Sequence, residues 1–186
     1  NISINGIGFN VVDVPNKSAD EIFTAVKLWK TEQIQNKYGE EKTNYVDEEN
    51  RIISDSFFHD FLFTNGYRGK KPEAQSICCK SRAKLTLTVQ VKDGKFRYKV
   101  DIGKLVGERT FSSSTGYFGS TSGYYYPSGH DKLLSEIILS KNGVERNNWT
   151  LNFRENSILE IIKIDKLVRE GILSYIDKVI VDNDDW

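Results

Sequence analysis

Only two histidines are available for acid–base chemistry in this sequence, His59 and His130. His59 and Asp60 are neighbours in a segment with strand character, so their side chains point to opposite faces and cannot act together as a dyad. His130 follows a stretch rich in glycine, serine and tyrosine. Metalloprotease, nucleophile-elbow, phosphate-loop and dinucleotide-binding motifs do not occur in the sequence. We therefore predict a structural role for His59, no catalytic residues and no enzymatic activity, with an uncharacterised enzyme as the least favoured alternative.

The cysteines and the acidic runs lack the spacing of a redox or metal site. Cys78 and Cys79 are adjacent, and a disulfide between neighbouring strand positions would be strained. We expect one of them to be buried and the other exposed. The acidic runs 47–49 and 182–185 do not match the spacing of a calcium-binding loop. The sequence therefore predicts neither a metal nor a cofactor.

An aromatic cluster lies within a long polar segment, residues 103–132. Its rings alternate with glycine and serine, and they are Tyr117, Phe118, Tyr124, Tyr125 and Tyr126. Tyrosine supplies rigid contact area at low entropic cost, and antibody loops combine it with serine and glycine in the same way. Two interpretations stay open. Either the rings contact a partner, as loop residues often do, or they pack back on the domain and close the insertion.

Composition and charge restrict the classes of partner. The chain has 186 residues, 38% of them hydrophobic, with 26 basic and 26 acidic side chains and a formal net charge of zero. This length suits a single domain, and no apolar run approaches the roughly 20 residues of a membrane span. Because nucleic-acid binding depends on clustered lysine and arginine, we expect no specific binding to nucleic acid. The sequence does not indicate an oligomeric state.

The clearest element is a β-hairpin over residues 84–102, centred on Asp93-Gly94. Apolar and polar residues alternate on both sides of this dipeptide, which is typical of a two-residue type I′ turn. The turn fixes the cross-strand pairs as Leu85 with Ile102, Leu87 with Val100, Val89 with Tyr98, and Val91 with Phe96. Every pair is apolar, so the turn and the alternation agree on one register.

Other parts of the sequence predict further strands, which would extend the sheet, and helices, which would form a second layer against it. A strand over 8–14 precedes a helix over 18–38, which begins with the capping box Ser18/Glu21 and carries Trp29 as its anchor. A second hairpin over 45–63 follows. Its second arm has apolar residues of both parities, which indicates either a bulge or burial on both faces.

The C-terminal third has a weaker pattern. We predict a short helix over 131–141 and a short strand from Trp149 to Phe153. A final helix begins at Ser157 with a second capping box. Gly171 lies inside this helix and is a candidate break, because glycine costs about 1 kcal/mol relative to alanine there.

The order of these elements resembles a known family. It combines a capped helix with Trp29, two hairpins, the segment Val91-Lys92-Asp93-Gly94-Lys95-Phe96-Arg97, a C-terminal helix and the closing Asp184-Asp185-Trp186. Together these resemble the domain of unknown function 4468 family of Bacteroides-type bacteria, over roughly Phe9–Ile102. The resemblance implies an α+β fold like that of the TATA-binding protein, in which helices pack on one face of a curved antiparallel sheet.

The same resemblance implies an exported protein without an assigned activity. It implies a precursor with an export signal, hence a periplasmic or cell-envelope location, and the chain starts at Asn1 and contains no methionine. It transfers no catalytic residue. We expect one domain over 1–186, made of a core over 8–102, an insertion over 103–132 and a helical part over 133–186.

The predicted function is that of a non-enzymatic interaction or binding module of the envelope, with a protein as its partner. Its contact surface would include the aromatic cluster and Arg97. The alternative is a small-ligand site on the open face of the sheet. The residues that would line this site are Thr86, Thr88, Gln90, Arg97 and Lys99.

Overall fold

One six-stranded antiparallel sheet organises the part of the chain that the structure, a computed structural model, describes: residues 1–35, 45–64, 77–107, 133, 135 and 148–183. The strands are β1 (Ile2–Ser3), β2 (Gly6–Asp13), β3 (Tyr45–Asp47), β4 (Ile52–Thr64), β5 (Ile77–Lys92) and β6 (Lys95–Gly107). Their spatial order is β1-β2-β6-β5-β4-β3. Strands β3 to β6 form a meander, and the N-terminal hairpin β1–β2 adds to it along β6.

In the described part of the chain, two helices pack on one face of this sheet. Helix α1 (Ala19–Trp29) begins at the predicted capping box, in which the Ser18 hydroxyl accepts from the Glu21 N–H and the Glu21 carboxylate accepts from the Ser18 N–H. A π-helical segment, Lys30–Gln35, continues α1. The connection from β2 to β3 contains α1. Because β2 lies near one edge of the sheet and β3 forms the other edge, this connection crosses one face of the sheet. Helix α2 (Asn148–Asn183) lies beside it. The predicted α+β architecture is confirmed.

The predicted β5–β6 register is confirmed at all four apolar pairs. The predicted type I′ turn is wrong, although the two-residue loop is present: Gly94 has a φ of 71°, but Asp93 is not among the residues with positive φ, and a type I′ turn requires positive φ at both central positions. The turn also holds the start of α1, since the Asp93 carboxylate accepts from the Ala19 N–H at 2.7 Å. Farther along, Ala83 pairs with Leu105 whereas Leu85 pairs with Ile102. One residue of β5 therefore faces two of β6, which is a β-bulge.

The second predicted hairpin is confirmed as well, and its open alternative is resolved. Strand β4 pairs with β5 in continuous register from Ile52 to Phe63, so no bulge interrupts this stretch. The two parities arise because Phe58 is half-buried on the face opposite the helices, where Arg82 lies 6.0 Å from its ring.

The core lies between the sheet and the two helices. Trp29 is fully buried and lies against Gly171 of α2; a Cβ at that glycine would stand 2.2 Å from the indole Nε1. The close approach of α1 and α2 thus requires a residue without a side chain. The predicted break at Gly171 is wrong, because α2 runs through it without interruption.

Two further predictions in the C-terminal part are wrong. Trp149 to Phe153 belong to α2 rather than to a strand, because three alternating apolar residues cannot outweigh propagation of the long helix that follows. Ser157 is not a helix start. It lies inside α2, where its side chain is fully buried. The spacing of a capping box recurs there without forming a cap.

Several predictions fall outside the described residues. They concern the aromatic cluster of residues 117–126, His130, the last residues of the helix over 18–38 and, except for 133 and 135, the helix over 131–141. The backbone of Cys78 and Cys79 lies in β5, but their side chains are not among those described.

Candidate functional site

The two faces of the sheet have different compositions, which separates a core face from a candidate binding face. Along β5 and β6, the residues that point towards α1 and α2 are apolar and buried, as Val89, Tyr98 and Val100 are. Their neighbours in sequence point the other way and form what we call the open face, on which no described helix packs. At its centre, Thr88 pairs with Lys99 and Gln90 pairs with Arg97 across β5 and β6.

An aromatic side chain on the open face is held between two cations. Phe9 is 37% exposed; the Arg97 guanidinium lies 4.5 Å from the centre of its ring and the Lys99 ammonium 6.0 Å. Arg97 Nε also donates to Gln90 Oε1 at 2.6 Å. Cations over an aromatic face are attracted by its quadrupole. Phe9, Gln90 and Arg97 therefore hold one another in a fixed arrangement on the sheet surface.

A depression of about 230 Å³ lies beside this cluster, at the hairpin end of β5 and β6. It is lined by Val11, Gln90, Lys92, Lys95, Phe96 and Arg97. Val11 is 62% exposed, and together with the exposed Phe9 it adds apolar surface to this end of the sheet. The depression thus combines exposed apolar surface with three cationic side chains. It can accept an anionic group and an apolar side chain next to each other.

The predicted open-face residues lie together, and sequence reasoning missed some of their neighbours. Thr86, Thr88, Gln90, Arg97 and Lys99 occupy successive outward positions on β5 and β6. Two of them have further polar partners: Thr86 lies 3.2 Å from the Ser56 hydroxyl, and Lys99 pairs with Asp101 at 2.7 Å.

The apolar members of the site, Phe9 and Val11, were not predicted. The irregularity between Ile7 and Asn10 in β2 decides which way Phe9 points. The sequence did carry one indication: apolar residues stand at both odd and even positions of β2, so some of them must point away from the core.

His59 serves the interface between sheet and helix, not the open face. Its Nε2 lies 3.3 Å from Glu160 Oε2 of α2, and its ring contacts Phe61 edge-on at 5.3 Å. Asp60 projects from the other face and pairs with Arg82 at 3.0 Å. Because Arg97 is also on the opposite face, the sheet itself separates His59 from Arg97. These two residues do not form a shared site.

Glu160 is held as a carboxylate at this interface. Its side chain is only 8% exposed, and Lys163 Nζ donates to it at 2.6 Å. Burial acts to raise the pKa of Glu160, but the hydrogen bonds from His59 and Lys163 outweigh it, so that the pKa lies below its ordinary value. A carboxylate can only accept hydrogen bonds, so His59 Nε2 carries the proton in this contact.

Two further polar contacts join the helices to the sheet. Lys30 and Asp55 form an ion pair at 3.5 Å with side chains 7% and 4% exposed, and burial raises the pKa of Asp55 although Lys30 opposes this. The Tyr98 hydroxyl donates to Asp165 at 2.6 Å. Burial and this hydrogen bond raise the pKa of Tyr98. Both contacts satisfy groups of the core and are not accessible to a ligand.

A second concavity lies between α1 and α2. This groove of about 560 Å³ has Trp29 and Gly171 at its base and Lys166 and Lys178 on its rim. The buried Trp29 Nε1 has no hydrogen-bond partner among the described atoms, but it faces the backbone of α2. Trp29 Nε1 is buried at the close contact with Gly171, so it is not exposed to a ligand in the groove. The open face is therefore the stronger candidate.

The described residues include no group of three or more His, Cys, Asp or Glu side chains arranged to hold a metal ion. Among the helices of the described part, none is both long enough and apolar enough to cross a membrane.

Comparison with known proteins identifies relatives of the fold. A sequence profile for a family described as "Domain of unknown function (DUF4468) with TBP-like fold" matches residues 9–102. A DUF4468 family protein from Bacteroides ovatus aligns with a TM-score of 0.56 and 12% identity, covering 92% of this chain and 88% of that one. A TBP-like protein from Parabacteroides distasonis aligns with a TM-score of 0.53 and 11% identity, covering 93% and 96%. No curated protein matches the sequence.

Proposed function

Because the chain belongs to the DUF4468 family with its TBP-like fold, as the sequence pattern predicted, we propose that it is a non-enzymatic binding module. In this proposal the open face of the sheet is the contact surface. The family description assigns no activity, so the proposal depends on the site itself. Its location would be the periplasm or the cell envelope, which is what the resemblance to exported proteins of Bacteroides-type bacteria implies.

One observation carries the proposal: Phe9 and Val11 remain exposed on the sheet, next to the cationic side chains of Lys92, Lys95 and Arg97. Phe9 contacts Arg97 at 4.5 Å, and Val11 lies in the neighbouring depression. Aromatic residues and arginine are the types most enriched at the energetic centres of protein interfaces. Side chains fixed by strands also lose little conformational entropy on binding.

The aromatic cluster of residues 117–126 stays a second candidate for the contact surface. It lies outside the described residues, so the contacts of Tyr124 and its neighbours are untested. An enzymatic function is the third alternative. It is disfavoured because His59 and Arg97, the groups best suited to acid–base chemistry and anion binding, lie on opposite faces.

The proposal is tested by capturing partners from envelope extract with matched variants. We expect wild-type protein to retain a partner that Phe9→Ala and Arg97→Glu lose. Lys166→Glu makes the same charge change on the exposed side of α2, where Lys166 is 69% exposed, and should retain the partner. Circular dichroism and melting temperature should confirm that every variant is folded.

A triple alanine variant of Tyr124, Tyr125 and Tyr126 separates the two contact surfaces. If this variant alone loses the partner while remaining folded, the aromatic cluster is the contact surface and the open face is not. If Arg97→Glu and Phe9→Ala retain every captured partner at wild-type levels, the proposed role of the open face is wrong.

A further inference from the structure

The hairpin end of the open face concentrates positive charge that the fold does not neutralise. Lys92 and Lys95 are direct cross-strand partners, and like charges in that position destabilise a sheet. Within the described part of the chain, neither lysine forms an ion pair with a carboxylate, and neither does Arg97, although Asp13 is the β2 partner of Lys95. Arg97 contacts the neutral Gln90 amide and the Phe9 ring, and Lys95 has Asp13 as a cross-strand neighbour without an ion pair, so these side chains keep charge that a ligand can use, which favours a role in binding.

Arg97 is oriented for an anion. Its Nε is occupied by Gln90 at 2.6 Å and its guanidinium lies over the Phe9 ring at 4.5 Å. These two contacts fix the plane of the guanidinium and leave its terminal N–H groups for a ligand. A guanidinium held in this way binds a planar carboxylate with two parallel hydrogen bonds, which a lysine cannot do.

The spacing of the cations indicates an extended ligand. Lys95, Arg97 and Lys99 are alternate residues of β6 and point to the same face, so their Cα atoms are about 6.7 Å apart. Alternate side chains of an extended peptide have the same spacing. Val11 is 62% exposed and is the cross-strand partner of Arg97, so it offers apolar contact to the aliphatic part of the same side chain whose carboxylate Arg97 would bind.

We propose that the open face binds an acidic segment of a partner protein in extended conformation, with carboxylates at alternate positions paired to Lys95 and Arg97. This proposal rests on the proposed function and adds the chemical class of the ligand. A continuous phosphate backbone fits less well because Asp13 and Asp101 flank the cations on the same face. Nucleic acid is therefore an outcome of the test and not the proposed ligand.

Fluorescence anisotropy with synthetic peptides tests the ligand class. The probe is a labelled peptide that alternates glutamate and threonine; the comparison peptides have the same composition with contiguous glutamates, or glutamine in place of glutamate. We expect the alternating peptide to bind best. Arg97→Glu should weaken its binding by at least about tenfold, because a like charge then faces the carboxylate that Arg97 would bind. Lys166→Glu should leave the affinity unchanged, and added salt should weaken binding.

Three results would overturn the proposal: no binding of the alternating peptide, equal binding of the two glutamate peptides, or tighter Arg97-dependent binding of labelled duplex DNA. These failures are distinguishable from failure of the proposed function. If the peptide does not bind but Arg97→Glu still loses its partner from envelope extract, the ligand class is wrong and the open face remains the contact surface. If Arg97→Glu changes neither measurement, both proposals fail.

Discussion

At the scale of single residues, charged groups fall into two sets that the sheet keeps apart. Lys30, Asp55 and Glu160 are buried on the helix side, and each has an ionic partner there. Arg97 and Lys95 are exposed on the open face. The first set contributes to stability and its dependence on pH, whereas the second is available to a ligand. Substitutions in the two sets should therefore change different measurements.

Glu160 should make stability sensitive to acid. Since the pKa of Glu160 is lowered in the folded state, the unfolded chain binds its proton more tightly, and stability is gained as pH rises. This contribution is present above the ordinary pKa of 4.5 and is lost as pH falls through the lowered value. When the pH is lowered from about 6 to about 3, the free energy of unfolding should decrease less for Glu160→Gln than for wild type.

Urea unfolding at several pH values measures this difference, and Glu170→Gln is the control because Glu170 is 63% exposed on the same helix. Parallel pH profiles for wild type and Glu160→Gln would contradict the assignment.

The buried pair of Lys30 and Asp55 should be more costly to break than to replace. Asp55 Oδ2 has no hydrogen bond and only the ammonium of Lys30 for compensation. Either single variant, Lys30→Met or Asp55→Leu, leaves one buried charge and should cost about 3–5 kcal/mol. The double variant removes both charges and should recover most of that loss. Chemical denaturation of the four proteins gives the comparison; additive losses in the double variant would show that the two groups are not coupled.

At the scale of elements, the contact between α1 and α2 depends on one missing side chain. A Cβ at Gly171 would lie 2.2 Å from Trp29 Nε1 and 2.9 Å from Cε2. Real contacts are never so short, so the helices would have to move apart. The glycine therefore has a packing role that outweighs its unfavourable helix propensity.

Gly171→Ala should lower the melting temperature. Alanine gains about 1 kcal/mol in helix propensity, but overpacking costs about 1–3 kcal/mol, and here the clash is with a buried ring. In a Trp29→Leu background the same substitution should be neutral or stabilising. Thermal unfolding of the double-mutant cycle measures the coupling. A Gly171→Ala protein as stable as wild type would mean that α2 does not pack this closely on Trp29.

The elements that could be predicted from sequence were those with two independent signals. The β5–β6 hairpin has both turn chemistry and alternation, which agree on one register. The start of α2 had only the capping-box spacing at Ser157, and that spacing also places Ser157 and Glu160 on the buried side of a longer helix. Arg97 could be assigned to the open face from alternation alone. Phe9 could not, because the irregularity in β2 arises from pairing with β6, which is distant in sequence.

At the scale of the whole molecule, the remaining expectation concerns location. The resemblance to the DUF4468 family implies export, so a cell that carries the complete natural gene should hold the protein in its periplasmic or envelope fraction. Fractionation and immunodetection of a C-terminally tagged protein, with a cytoplasmic marker as control, measures this. Recovery with the cytoplasmic marker would contradict an envelope role. It would leave the chemistry of the open face unchanged.

Strand alternation also constrains how such a domain can change over generations. Core residues and ligand-facing residues occupy successive positions of β5 and β6, so a substitution can alter one face without touching the other. A one-residue insertion or deletion would instead exchange the two faces along the rest of the strand, unless a β-bulge absorbs it as the one opposite Ala83 and Leu85 does. Lineages that diverge in ligand preference should therefore accumulate replacements at outward positions such as Gln90 and Arg97. Changes in chain length should be confined to the connections between strands and to β-bulges.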